Sequence, residues 1–394
     1  MIINMQKEIL RIIIPAIAVM ATSMVLSFSL SAQTVVIKPV RESSHIESSV
    51  RLSIVEQFPD AVIKQGDPGS EGNKFGIEGG SVVKVGQSYH LIVSEIVDDP
   101  RAVKMKIGHW KSDDGFHWQR QSTLYESTGD FTGTDPRAAL WAQPVAFDQK
   151  AERWNFFYVA YHSKPNADGY WNLNHLGRIW RAVSKTPGLE GIGGPYEDVG
   201  IILQPDADSQ PWEGWQGTDS FHIFETDNGW SAFYGSALTQ TPPDQQNPAY
   251  ARWNVGLSSA PEIAGPWKRI PGDPVFAFAE NPIVVRLKSG RYLTFFDSLH
   301  FDTMSIGYSD SSDGIHWTAP QTVRFQETDG FWLRNARTPI GFIEENDGTF
   351  TLFYTGFIRS ETFIPAEYTG RNNLTWCSLG IARVKVEEIP PHQP

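Results

Sequence analysis

Read for the alternation of apolar and polar positions, the chain is a succession of short β-branched and aromatic runs separated by Gly, Pro, Asn, Asp and Ser. Runs of this length between turn residues predict strands. They recur in a fixed order. Each unit opens on a short apolar strand: Ser81-Val-Val-Lys, Pro144-Val-Ala-Phe, Ser220-Phe-His-Ile-Phe, Pro282-Ile-Val-Val-Arg and Pro339-Ile-Gly-Phe-Ile. An aromatic strand follows: Tyr89-His-Leu-Ile-Val, Trp154-Asn-Phe-Phe-Tyr, Trp230-Ser-Ala-Phe-Tyr, Tyr292-Leu-Thr-Phe-Phe and Phe350-Thr-Leu-Phe-Tyr. A third strand comes next, and in two units the turn after it reads Ser112-Asp-Asp-Gly-Phe-His-Trp118 and Ser311-Ser-Asp-Gly-Ile-His-Trp317. The Gly of Asp-Gly supplies the positive φ of a tight turn, and the Trp is expected to pack on its own sheet. Pro at the head of an opening strand is tolerated where no ladder donor is needed.

The openings are spaced about 55–75 residues apart, and five units fill residues 75–388. One such sheet cannot bury both of its faces, so radial stacking is the stable arrangement. The repeat predicts an all-β, five-bladed β-propeller. A two-sheet sandwich is the alternative for many short strands, and the five-fold register argues against it. Residues 33–74 form an N-terminal extension of unassigned structure.

The remaining features narrow the function. Lys7 and Arg11 flank an apolar run from Ile12 to Leu30 that ends at Ser31 and Ala32. This reads as a signal peptide over residues 1–32, and hence as a secreted or periplasmic protein. An uncleaved membrane anchor is the rival, weakened by Pro15, Thr22, Ser23, Ser27 and Ser29. The net charge of −12, spread along the chain, excludes a phosphate-binding stripe and argues against nucleic acid and anionic membranes as partners. The single cysteine, Cys377, cannot form an internal disulfide and reads as a buried thiol.

In a propeller the opening strands line a central channel, so residues just before them converge. Those positions hold Glu78 with Gly79 and Gly80, Trp141 with Gln143, Thr218 with Asp219, Glu280 with Asn281, and Arg337 with Thr338. Three convergent carboxyls suit glycosidic cleavage. One donates a proton to the leaving oxygen, one stays ionised to activate water or attack carbon, and one steers the acid. Arg337 could bind a substrate carboxylate or sulfate, or lower a neighbour's pKa.

The five-unit pattern, the Ser-x-Asp-Gly-x-His-Trp turns and the placement of the acids resemble the five-bladed propeller glycoside hydrolases of family 43, with families 32, 68 and 117 as relatives. That family takes acids from the first, third and fourth blades. The matching positions are Glu78, Asp219 and Glu280. Glu280-Asn-Pro282 resembles the family's Glu-Gly-Pro and implies the general acid. Thr218-Asp-Ser220 resembles its Asp-Pro, or the Arg-Asp-Pro of family 32, and implies the orienting acid. Glu78 would then be the base, although the family places Asp directly before the strand and this chain has Gly80 there. Family 117 has a histidine where Ala279 stands, so Glu280 acts alone or His300 reaches in from the strand end.

The second unit carries an insertion, Asp168-Gly-Tyr-Trp-Asn-Leu-Asn-His175, that can overhang the pocket. It makes Trp171 and His175 substrate-contact candidates. Trp141, Trp212, Trp215 and Trp332 lie in or beside pocket loops, and some could stack on sugar faces while others pack. His117 and His316 read as turn residues, His90 as core, His222 as a channel residue, and Asp135-Pro-Arg137 as a loop out of register. No zinc spacing, phosphate loop or nucleophile elbow is present in the sequence. No cofactor is expected, though a structural Ca2+ in the channel is compatible with the architecture. The reading is a secreted, exo-acting, inverting glycoside hydrolase of plant or algal oligosaccharides. A lyase or dehydratase on uronic-acid sugars, using a His or Tyr base and an Arg for the carboxylate, and a non-catalytic glycan-binding propeller are the alternatives.

Overall fold

The computed structural model describes residues 47–165, 172–238, 252–298, 304–358 and 376–389. The signal segment, Trp171 and His300 lie outside them. Among the described residues there is no α-helix, and one short 3-10 turn at Leu189–Gly193 interrupts an otherwise all-β chain.

The first strand, β1 (Val50–Gln57), is followed by a meander of β2 (Gly76–Val85), β3 (Ser88–Asp98), β4 (Lys104–Ser112) and β5 (Gln119–Glu126). A second meander runs β6 (Ala139–Asp148), β7 (Arg153–Pro165), β8 (Asn172–Ser184) and β9 (Tyr196–Leu203). A third runs β10 (Asp219–Thr226), β11 (Gly229–Leu238), β12 (Arg252–Ala260) and β13 (Lys268–Arg269), with β14 (Phe276–Ala277) also on β12. A fourth runs β15 (Ala279–Arg286), β16 (Tyr292–Ser298), β17 (Ser305–Ser311) and β18 (Gln321–Arg324). The fifth is β19 (Leu333–Glu344), β20 (Phe350–Ile358) and β21 (Cys377–Glu388).

The first strands touch in ring order, β2 on β6, β6 on β10, β10 on β15, β15 on β19 and β19 on β2. A hydrophobic cluster fills each gap between neighbouring sheets. Phe353 and Trp110 share the gap between the fifth and first, Ile107 and Phe156 that between the first and second. Phe157 and Phe221 meet between the second and third, Phe233 and Phe296 between the third and fourth, Phe295 and Tyr354 between the fourth and fifth. Each sheet therefore buries both faces against its neighbours, as a β-propeller requires.

The extension is not a separate piece. Within residues 33–74, β1 pairs antiparallel with β21 and supplies the fourth strand of the last sheet. The ring also closes where Gly76 of β2 meets Cys377 of β21 in a parallel bridge. A Cβ at Gly76 would lie 2.1 Å from the Cys377 carbonyl oxygen, at a φ of +89°, so only glycine fits. Cys377 is fully buried, and burial pushes its thiol pKa up.

Two expectations change in detail. Trp118 and Trp317 donate from Nε1 to Gly115 and Gly314 of their own turns. Their rings, however, pack on the preceding sheet, Trp118 on Phe353 and Trp317 on Phe233. The opening strands begin earlier than the apolar runs, so Pro144, Pro282 and Pro339 lie inside strands rather than at their heads. They are accommodated there by irregularities in the ladder.

Candidate active site

Every first strand carries the same irregularity. Pairing with the second strand slips by one residue between Glu78 and Gly80, Ala142 and Val145, Asp219 and His222, Glu280 and Ile283, and Ala336 and Pro339. Bulges re-aim side chains and occur beside active sites. Here the residue after the slip point adopts positive φ at Gly79 (+70°), Ser220 (+50°) and Asn281 (+52°). Glu78, Asp219 and Glu280 therefore occupy one structural position in three sheets. Glu78, two residues ahead of the place the resemblance implies, thereby sits at the same bulge position as Asp219 and Glu280.

These positions meet in one pocket, lined by Glu78, Asp219 and Glu280 with Trp141, Gln143, Asn281 and Arg337. The catalytic candidates and the described blade-opening residues Trp141, Gln143, Asn281 and Arg337 all line it, whereas His175 does not. Its ring packs instead against His162, with centroids 5.6 Å apart. Its neighbour Asn174 takes the place on the pocket wall, together with Gln216 and Trp253. Asn281 forms part of a polar belt between sheets: Ser220 Oγ donates to Asn281 Oδ1 at 3.4 Å, and Asn281 Nδ2 donates to Thr338 Oγ1 at 3.4 Å.

Arg337 organises the acids. Its Nε donates to Glu78 Oε1 at 2.8 Å, and its Nη1 donates to Asp297 Oδ2. Nη1 also lies 3.0 Å from Glu280 Oε2 in an ion pair. Glu280 Oε2 is buried, and this ion pair is its charged contact. The guanidinium is thus occupied by the protein's own carboxylates. Asp297 is a fourth acid that the blade-opening rule misses, because it sits on a second strand. It lies directly opposite Glu280 across β15 and β16.

Burial dominates the electrostatics. It raises the pKa of Asp219 to about 6; the Tyr161 hydroxyl beside it pulls the value down, and the negative charge of Glu280 pushes it up. Asp219 Oδ1 also accepts from the Ser220 backbone N–H at 2.6 Å. Burial raises Asp297 to about 7 against the pull of Arg337, with Glu280 and Glu78 adding to the rise. Three carboxyls, those of Glu78, Glu280 and Asp297, thus pair with a single guanidinium in a poorly solvated pocket that Asp219 also lines.

The other candidates fall outside the pocket. Trp212 stacks on Tyr234 and Trp332 on Tyr354, both as packing. His117 and His316 bond to Asp114 and Asp313 within their turns. His222 lines the channel, where burial lowers its pKa to about 4. Arg137 sits over Tyr125, Tyr158 and Trp180 and pairs with Asp198. The channel beyond the acids is lined by residues such as Val82, Val145, Ile283 and Ile340. No group of three or more His, Cys, Asp or Glu is placed to hold a metal among the described residues, and Arg337 fills the cationic position between the acids.

No protein-family model matches the chain, and no curated protein matches it. Solved structures do. A family 117 glycoside hydrolase of the marine bacterium Zobellia galactanivorans superposes with a TM-score of 0.54 at 11% identity, over 89% of this chain and 93% of its own. A thermostable family 43 glycoside hydrolase gives 0.50 at 16% identity, over 84% and 98%. An α-L-arabinofuranosidase from Lactobacillus brevis gives 0.50 at 14%, over 78% and 92%. At such identities the likeness is one of fold: this chain is a β-propeller of the kind on which glycoside hydrolases of families 43 and 117 are built.

Proposed function

We propose that the chain is a glycoside hydrolase in which Glu280 is the general acid, Glu78 the base and Asp219 the carboxyl that orients and tunes the acid. One observation carries this reading: acids from three different sheets, at one bulge position, converge on one pocket. A protonated Glu280 gives its proton to the glycosidic oxygen as the C–O bond breaks. Glu78, ionised beside Arg337 Nε, takes a proton from the water that attacks the anomeric carbon. Asp219 retains a proton affinity near neutrality because it is buried beside Glu280. Trp141 and Trp253 offer apolar faces to a sugar ring, and Gln143, Asn174 and Gln216 offer polar groups to its hydroxyls.

A pocket walled by Trp141, Asn174 and Trp253 suits a chain end better than a long groove would, which supports exo-action. Inversion, plant or algal oligosaccharides as substrates, and secretion belong to the same proposal. Arg337 acts on its neighbours' proton affinities rather than on a substrate anion, since its Nε and Nη1 donate to Glu78 and Asp297.

Incubation with a panel of plant and marine algal oligosaccharides, with products read by mass, should give added water and shorter chains. Glu280→Gln should lower kcat by about 10²- to 10⁴-fold, the usual contribution of a general acid. Unchanged turnover by that variant would sink the assignment.

A further inference from the structure

Trp215 is 46% exposed, and among the described residues it is the one aromatic ring in the set of exposed large hydrophobic side chains. A single exposed apolar side chain is unremarkable on its own. Its place is what matters. Trp215 lies on the loop between β9 and β10, and the next residue, Gln216, lines the acid pocket. On its other flank the Leu176 N–H donates to the Trp215 carbonyl oxygen at 3.1 Å. Asn174, two residues before Leu176, lines the pocket too. Trp215 is not itself part of the pocket wall. It stands at the rim, with wall residues on both sides.

The loop that carries it is fastened to two strands. Gly214 N–H donates to Ser236 Oγ of β11 at 3.0 Å. Gly177 N–H of β8 donates to the Gln216 carbonyl oxygen at 2.7 Å, and Thr218 N–H donates to the Gly177 carbonyl oxygen at 3.0 Å. Gly217 makes the close approach possible. Its φ is +82°, and a Cβ there would lie 2.3 Å from the Gly177 nitrogen. The backbone on either side of Trp215 is therefore fixed before any ligand arrives. An aromatic side chain with only two χ angles, held on such a backbone, loses little freedom when a ligand covers it. A sugar ring has an apolar C–H face, and an indole face is its natural partner.

Resting on the hydrolase reading, in which the chain-end sugar fills the pocket, we propose that Trp215 is the stacking platform for the first sugar on the leaving-group side of the scissile bond. A chain whose end is inside the pocket must leave it over the rim. A flat apolar face at that point holds the next ring and makes few demands on its hydroxyls. Trp215 therefore selects chains over single sugars rather than one sugar over another.

The test compares wild type, Trp215→Ala and Trp215→Tyr on two substrates. One is the trisaccharide cleaved fastest in the oligosaccharide panel. The other is the glycosyl fluoride of its chain-end sugar, which enters the pocket and carries no ring beyond it. Trp215→Ala should lower kcat/KM on the trisaccharide by about 3- to 10-fold more than on the fluoride, and Trp215→Tyr should recover most of the difference. Equal losses on both substrates, or no loss on the trisaccharide, would overturn the platform. A second readout needs no turnover. In calorimetric titrations with Glu280→Gln as the parent protein, adding Trp215→Ala should weaken binding of panel trisaccharides by about 3- to 10-fold more than binding of the matching monosaccharides. Equal weakening, or no binding of any panel trisaccharide to the parent, would also overturn it. Failure of wild type to cleave any glycan, with the Trp215-dependent difference in binding intact, would instead remove the hydrolase reading and leave the platform standing.

Discussion

Asp219 shows what burial does to one carboxyl. Its proton affinity is raised, chiefly by loss of water, to a pKa of about 6. Below pH 4 the folded and unfolded chains both carry the proton. Between pH 4 and 6 the folded chain keeps a proton the unfolded chain has released, so stability falls as pH rises, and the full penalty applies above 6. Asp219→Asn removes that penalty. It should raise unfolding stability at pH 8 by on the order of 2–3 kcal/mol, with the gap closing toward pH 4. Thermal unfolding of both proteins across that range checks it, and a pH-independent gap would contradict it. The same residue was readable in the sequence, as was Glu280, because each stands within two residues of the start of an apolar run. Asp297 was not. Its importance comes from lying across the ladder from Glu280, a pairing that strand register creates and linear order conceals.

The bulge is the element that turns five plain strands into a site. Its demands differ from residue to residue. At Gly80 a Cβ would stand 2.1 Å from the Ile92 carbonyl oxygen, at φ +110°. At Gly79 the nearest atom would be 3.7 Å away, at φ +70°. Gly79→Ala should therefore cost about 1–2 kcal/mol, the price of a left-handed backbone, and leave Glu78 in place. Gly80→Ala should force β2 from β3, with loss of folded protein or of activity. Urea midpoints of the two variants would separate them, and equal effects would count against the bulge. Sequence reading located all five inner strands from their apolar cores but started them late. Polar and small residues such as Glu78, Gly79 and Gly80 look like loop, yet lie within β2, where Glu78 and Gly80 pair with β3 and Gly79 is the bulged residue between them.

At the scale of the molecule, the repeat was legible because each unit repeats the same packing problem and solves it with the same aromatic strand. The closure was not legible. β1 lies outside the repeat, and only its partner reveals it as a strand of the last sheet. Removing residues 47–57 should expose the edge of β21 and lose the burial of Val50 and Leu52. A stability loss of about 3–6 kcal/mol is expected from those two side chains, together with self-association through the bare edge. Calorimetry and light scattering on the shortened chain would test both, and an unchanged monomer would refute them. The same fastening sets an order of events. Each meander closes over neighbouring residues, but Val50 finds Glu388 only after nearly the whole chain has been traversed. Contacts between such distant residues form late. A folding ring of this kind passes through an open horseshoe, and the rate at which it becomes a finished protein is the rate at which its two ends meet.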